Sequence, residues 1–274
     1  MSRGLGILVF VLLPAVWIVA AAAVEGANDG LTAYELTRYM HQLLFVYWIG
    51  PDIGVYYLSH RVTDPQLSAG QRLAAAQVMG QIDLIPRVCL SLMLTVGGIL
   101  TEFVGIPHPT WQMAGIVLLG PVWLSMMLII YFRRGTALGD TATKIDFYFR
   151  AFMIVAVLAS VGWSFSTGRL TETPWVGTKL TLFAAILLFG LLMRLRVAPL
   201  MAGLGVLATA GASEDNDRMM AQSLKRTKPF VLAMWAAILL AAFAGVVKPG
   251  DKSAAATVSA AQPADEQAEV VRAR

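Results

Sequence analysis

Seven predominantly apolar stretches divide the chain, with short polar segments between them. They run near 4–24, 35–59, 84–104, 111–132, 147–167, 175–197 and 229–247. About twenty helical residues cover the roughly 30 Å hydrocarbon layer of a bilayer. Lipid offers no partner to backbone N–H and C=O groups, so such stretches must close their hydrogen bonds internally. The pattern therefore predicts an all-α fold, a polytopic transmembrane helix bundle of about seven spans over residues 1–248, in contact with the lipid bilayer. The second span has a marked start, because Thr32 and Glu35 are spaced as a capping box that satisfies free amides at a helix N-terminus. Gly105, Pro107 and Pro109 punctuate the turn between the third and fourth spans. After Lys248 the mixture of Ala, Ser, Thr, Pro and Glu has no apolar periodicity, and residues 249–274 read as a disordered, non-cytoplasmic tail.

Composition closes off the soluble alternatives. Hydrophobic residues make up 57% of the chain and charged residues 14%, where a globular protein carries about a quarter charged. The formal charge of +4 does not indicate nucleic acid, because the basic residues fall beside helix ends rather than in one stripe. They instead divide the loops into two sets. Arg3, then Arg61, Arg72 and Arg87, then Arg133, Arg134, Lys144 and Arg150, then Arg194, Arg196, Lys225, Arg226 and Lys228 mark one side. The other side holds Glu25, Asp29, Glu35 and Arg38, the His108 turn, and Arg169 with Glu172. Positive charge stays cytoplasmic, so the reading is a multi-pass protein of a bacterial inner membrane, with a cytoplasmic N-terminus and a periplasmic C-terminus. Arg3 and the run Ala20 to Ala23 also fit a secretory signal, whose cleavage would leave six spans.

Two short patterns repeat. Ile82-Asp83-x-x-x-Arg87 matches Ile145-Asp146-x-x-x-Arg150, and Gly50-Pro51 matches Gly120-Pro121. This suggests tandem helical-hairpin repeats. Asp and Arg four residues apart face each other on a helix, so both pairs are expected to be structural ion pairs.

Candidate chemistry concentrates in the second span, in Met40-His41-x-x-x-Phe45-x-x-Trp48-x-Gly50-Pro51-Asp52. Offsets of seven and eleven bring Trp48 and Asp52 to within about 20° of His41 around a helix. Asp at membrane depth is costly, which makes this face the expected functional one. Lys179, early in the sixth span, is either a snorkelling lysine or a functional one. His108 near Met113, and Met40 beside His41, offer imidazole and thioether, a donor set suited to copper. Cys89 is the only cysteine and reads as a packed, inert thiol. Gly97-Gly98 permits close helix approach. The chain has no dinucleotide, Walker, HExxH or GxSxG motif. The residues leave three functions open: a bundle binding a redox cofactor or metal at His41, a permease using Asp52 and the Gly-Pro interruptions, and a structural subunit with a membrane-complex partner or a second copy.

The stretch from His41 through Trp48 to Gly50, with Tyr56-Tyr57 and a basic helix end, resembles the first helix of the CopD/HemJ-like superfamily of membrane proteins. Trp175-Val176-Gly177-Thr178-Lys179-Leu180 is similar to its Trp-x-x-x-Lys-Leu helix. In the HemJ branch, a protoporphyrinogen oxidase with haem b, the resemblance implies a haem ligand at His41 and a functional partner at Lys179. In the CopD branch, linked to copper uptake, it implies a metal contact at His41. Gly177 stands where the HemJ helix has a histidine, and Gly50-Pro51-Asp52 departs from its Leu-Pro-Arg.

Overall fold

The computed structural model describes residues 32–252, and they are helical almost throughout. The first expected span at 4–24 and the tail beyond residue 252 lie outside the described residues. Seven helices follow in order: α1 (Ala33–Val62), α2 (Ala69–Ile82), α3 (Leu84–Phe103), α4 (Thr110–Phe132), α5 (Ala137–Ser166), α6 (Pro174–Ala210) and α7 (Glu214–Val247). The capping box at the start of α1 is formed: Glu35 N–H donates to Thr32 Oγ1 at 3.2 Å, and Thr32 N–H donates to Glu35 Oε2 at 3.0 Å. Asp83 separates α2 from α3. Pro86, three residues on, lacks the amide that would bond back to the Ile82 carbonyl, so the rod is interrupted there.

Five helical rods among the described residues are long and apolar enough to cross a membrane: Ala69–Phe103, Thr110–Phe132, Ala137–Ser166, Pro174–Ala210 and Glu214–Val247. This is the build of a helical membrane protein. They cover five of the seven expected spans. The remaining described one, 35–59, corresponds to α1, which has the length but not the apolar composition. Its His41, Gln42 and Asp52 dilute the apolar run.

α3 is the central helix, with Val88, Cys89, Leu90, Leu92, Met93 and Val96 all buried. It packs against α1 and α4, while α5 joins α4 to the α6–α7 hairpin. The main core gathers Trp48, Cys89, Trp123, Met127, Phe183 and Leu187. Outward faces are apolar too: Trp111, Tyr148, Phe152, Val155 and Trp163 are exposed, as suits side chains meeting acyl chains or the interface. The two glycines of α3 allow the close approach expected of them. A Cβ on Gly98 would come within 2.6 Å of Ile116 on α4, and one on Gly97 within 3.2 Å of the His41 ring.

Helix ends depart most from expectation. α6 continues past 197 to Ala210, α7 begins at Glu214 instead of near 229, and α5 begins at Ala137. Hydropathy marks the apolar portion of a helix, and α5 and α7 have polar extensions at their starts, whereas α6 runs on through Arg194, Arg196 and Pro199 into a further apolar stretch. The extension of the α6–α7 hairpin packs on α2 through a small core of Val62, Leu200 and Met220. Arg72, expected among the loop charges, is fully buried in it. Its Nε donates to the Val62 carbonyl at 2.9 Å, and its guanidinium pairs with Asp217 at 2.7 Å. The Ser223 hydroxyl is inserted beside Pro199 in α6: it accepts from Leu200 N–H at 3.2 Å and donates to the Arg196 carbonyl at 2.7 Å. A neighbouring hydroxyl thus restores the backbone step that a helix-interior proline opens.

Candidate functional site

The His41, Trp48 and Asp52 face is divided along α1 between different neighbours. Eleven residues separate His41 from Asp52, about 16 Å along a helix axis. The His41 ring rests against α3 at Gly97, and its Nδ1 is buried without a hydrogen-bond partner among the described residues. The charge acting on this ring is Lys179 of α6. Trp48 is buried in the main core, edge-on to Phe183 at 6.5 Å between ring centres. Asp52 turns to α7, where Trp235 Nε1–H donates to its Oδ2 at 2.6 Å. Tyr56, one turn on, stacks edge-on against the same indole at 5.3 Å.

The four expected copper donors have separate engagements. Met40 packs against the main core, whereas its neighbour His41 faces Gly97. Adjacent helix positions point about 100° apart, so the two do not share an ion. His108 is held by Glu102, which accepts from its backbone N–H at 2.7 Å and lies 2.8 Å from its Nδ1. Met113 is half-buried in the first turns of α4. Among the described residues no group of three or more His, Cys, Asp or Glu side chains could hold a metal ion. Cys89 is fully buried. His60 is exposed, with Nδ1 2.9 Å from the Tyr56 carbonyl.

The two Asp-x-x-x-Arg pairs form as expected. Arg87 meets Asp83 at 2.7 Å through Nε, and Arg150 Nε meets Asp146 at 2.9 Å. Tertiary structure then adds what the spacing does not show. Asp146 is fully buried and also receives Arg194 of α6 at 2.8 Å and Trp123 Nε1–H of α4 at 3.1 Å. Arg150 lies over the Trp123 ring, 5.3 Å from its centre, and reaches Met127 Sδ at 3.5 Å. Direct contacts define three separate groups: Asp83 with Arg87, Asp146 with Arg150, Arg194 and Trp123, and Asp52 with Trp235. Asp52 lies within electrostatic range of the Asp83–Arg87 pair. α1, α3, α5 and α6 supply the charges, while α4 and α7 supply the indole donors Trp123 and Trp235.

Arg194 is expected from the sequence only as a charge beside a helix end, and nothing in the sequence pattern singles out Trp123 or Trp235. No spacing rule joins a tryptophan on one helix to an aspartate on another, so only the fold reveals these contacts. Comparison with protein-family models, with curated proteins and with solved structures returns no match for this chain.

Proposed function

We propose that this chain is a proton-coupled permease of a bacterial inner membrane in which Asp52 is the group that takes up the proton. The observation that carries the reading is the part-buried Asp52 carboxylate, bonded to the Trp235 indole of α7 and within electrostatic range of the Asp83–Arg87 pair. Ionisable groups at membrane depth are expensive and mark ion and proton pathways. Asp52 has no ion-pair partner among the described residues, so adding one proton removes a negative charge that only the Trp235 indole holds. That change gives the helices a second charge state to respond to, which coupling requires. The bond from Trp235 links the carboxylate to α7, so protonation bears directly on the α1–α7 contact. Pro51, Pro121 and Pro229 lie inside α1, α4 and α7, and interrupted helices are where transporters build their sites. The seven-span topology, with α1 crossing the membrane, belongs to this reading. The charge asymmetry of the loops and the packing of α1 against α3 support it. The test is a pH-jump current recorded from proteoliposomes on a solid-supported membrane. The wild-type protein is expected to give a displacement current that falls at least tenfold in Asp52→Asn. Equal currents from the two proteins, or none above protein-free vesicles, would refute it.

A second reading is a redox cofactor, haem b or copper, held at His41, and the unpaired Nδ1 beside Gly97 favours it. An orphaned imidazole nitrogen fits one axial bond. His60 and His108 are engaged elsewhere, so His41 would hold the group alone, and haem or copper would supply one-electron chemistry when bound. A reduced-minus-oxidised spectrum and copper analysis of the purified protein, repeated on His41→Ala, tests this. A Soret band or stoichiometric copper lost in the variant supports it, and neither signal in the wild type refutes it.

A further inference from the structure

The end of the bundle where α6 begins and α7 finishes gathers positive charge and an unused donor. Trp175, in the first turn of α6, is 8% exposed, and its indole Nε1–H is buried without a hydrogen-bond partner among the described residues. Two ammonium groups lie over this one ring, Lys179 Nζ at 5.8 Å and Lys248 Nζ at 5.5 Å from its centre. Neither lysine forms an ion pair with a carboxylate of the described residues.

Several local features hold the group together. Lys179 follows Trp175 by one helical turn, which sets the two side chains side by side. Its ammonium passes over the backbone of α7 at Gly245, where a Cβ would come within 2.7 Å of Nζ. Lys248 ends α7 in the left-handed conformation, φ 48° and ψ 58°, and this turns the chain back across the start of α6. There Lys252 N–H donates to the Glu172 carbonyl at 3.0 Å. The α6 N-terminus carries no side-chain cap, so the positive end of its helix dipole adds to the same field. The buried Nδ1 of His41 lies within reach of the Lys179 charge.

Like charges beside one indole repel, and a buried N–H without an acceptor is unfavourable. An oxyanion relieves both at once. We propose that Trp175, Lys179 and Lys248 form a binding site for a phosphate group, either on a soluble molecule or on a lipid headgroup. A helix end at the bilayer boundary meets both. None of the contacts of Asp52, Asp83 or Asp146 involves Trp175, Lys179 or Lys248, and the site does not depend on proton uptake at Asp52.

The test uses the full-length protein in non-ionic detergent, followed by thermal unfolding at matched ionic strength. One arm titrates inorganic phosphate against chloride. The other titrates phosphatidylglycerol against a phosphate-free galactolipid. In one arm or both, the phosphate-bearing probe is expected to raise the unfolding midpoint saturably. The concentration giving half the effect should rise at least tenfold in Lys179→Gln and in Lys248→Asn. Asn tolerates the left-handed backbone at position 248, so that variant removes the charge and keeps the turn. Lys228→Gln, exposed and far along α7, should respond as wild type. A response to phosphate itself identifies a soluble ligand, and a response to phosphatidylglycerol alone identifies a headgroup. No response in either arm, or an undiminished response in both lysine variants, overturns the proposal.

Discussion

Replacing Asp146 with Asn removes the charge on which Arg150 and Arg194 converge while keeping the side chain's size. Its carboxylate accepts from Arg150 at 2.9 Å, Arg194 at 2.8 Å and Trp123 at 3.1 Å. The amide oxygen of Asn can still accept from Trp123, so that bond survives. Arg150, 5% exposed, is left without a counter-ion, and removing one partner of a buried pair costs about 3–5 kcal/mol. Arg194 is 26% exposed in its side chain and can be met by water, so its share is that of a surface pair, about 0–1 kcal/mol. The expected loss is therefore about 3–6 kcal/mol. Asp83→Asn is the internal comparison: its partner Arg87 is 33% exposed, and the loss there should be about 1 kcal/mol. Unfolding in mixed micelles by increasing sodium dodecyl sulfate, followed through helical circular dichroism, measures both. Adding Arg150→Met to Asp146→Asn should recover much of the loss, because no buried charge is then left over. An Asp146→Asn variant within about 1 kcal/mol of wild type, or no worse than Asp83→Asn, would show that the buried charges are not paired as described.

Two further substitutions probe the hairpin extension by the same unfolding assay. Ser223→Ala leaves the Leu200 amide and the Arg196 carbonyl unsatisfied beside Pro199 and should cost about 1–3 kcal/mol; a neutral result would mean that the hydroxyl does not bridge that step. Gly203→Ala sets a Cβ 2.4 Å from Met220 Cγ and 2.9 Å from Asn216 Oδ1, an overpacking expected to cost about 1–3 kcal/mol. Met220→Ala in the same chain should offset part of that loss, and additive losses would contradict the close contact.

Much of this protein is legible along the chain because lipid imposes a one-dimensional rule. Apolar runs of spanning length must be helices, and the capping box at Thr32, the turn at Gly105 and the Asp-x-x-x-Arg pairs are all local in sequence. Gly97-Gly98 also announced a close helix contact before its partners were known. The remainder depends on contacts between distant segments. Arginines and Pro199 interrupt the apolar run of α6, and polar residues precede that of α7, although the helices at Leu200 and Met220 continue because they bury a second, smaller core around Arg72. Helix periodicity put His41 and Asp52 on one face, but it carries no information about which neighbouring helix each depth meets. Packing decided that His41 lies against Gly97 and Asp52 against Trp235. Arg194 and Trp123 meet Asp146 only once α4, α5 and α6 are packed together. Burial of Asp146 and Arg150 makes their pairing obligatory, and the second arginine is a property of the assembled bundle.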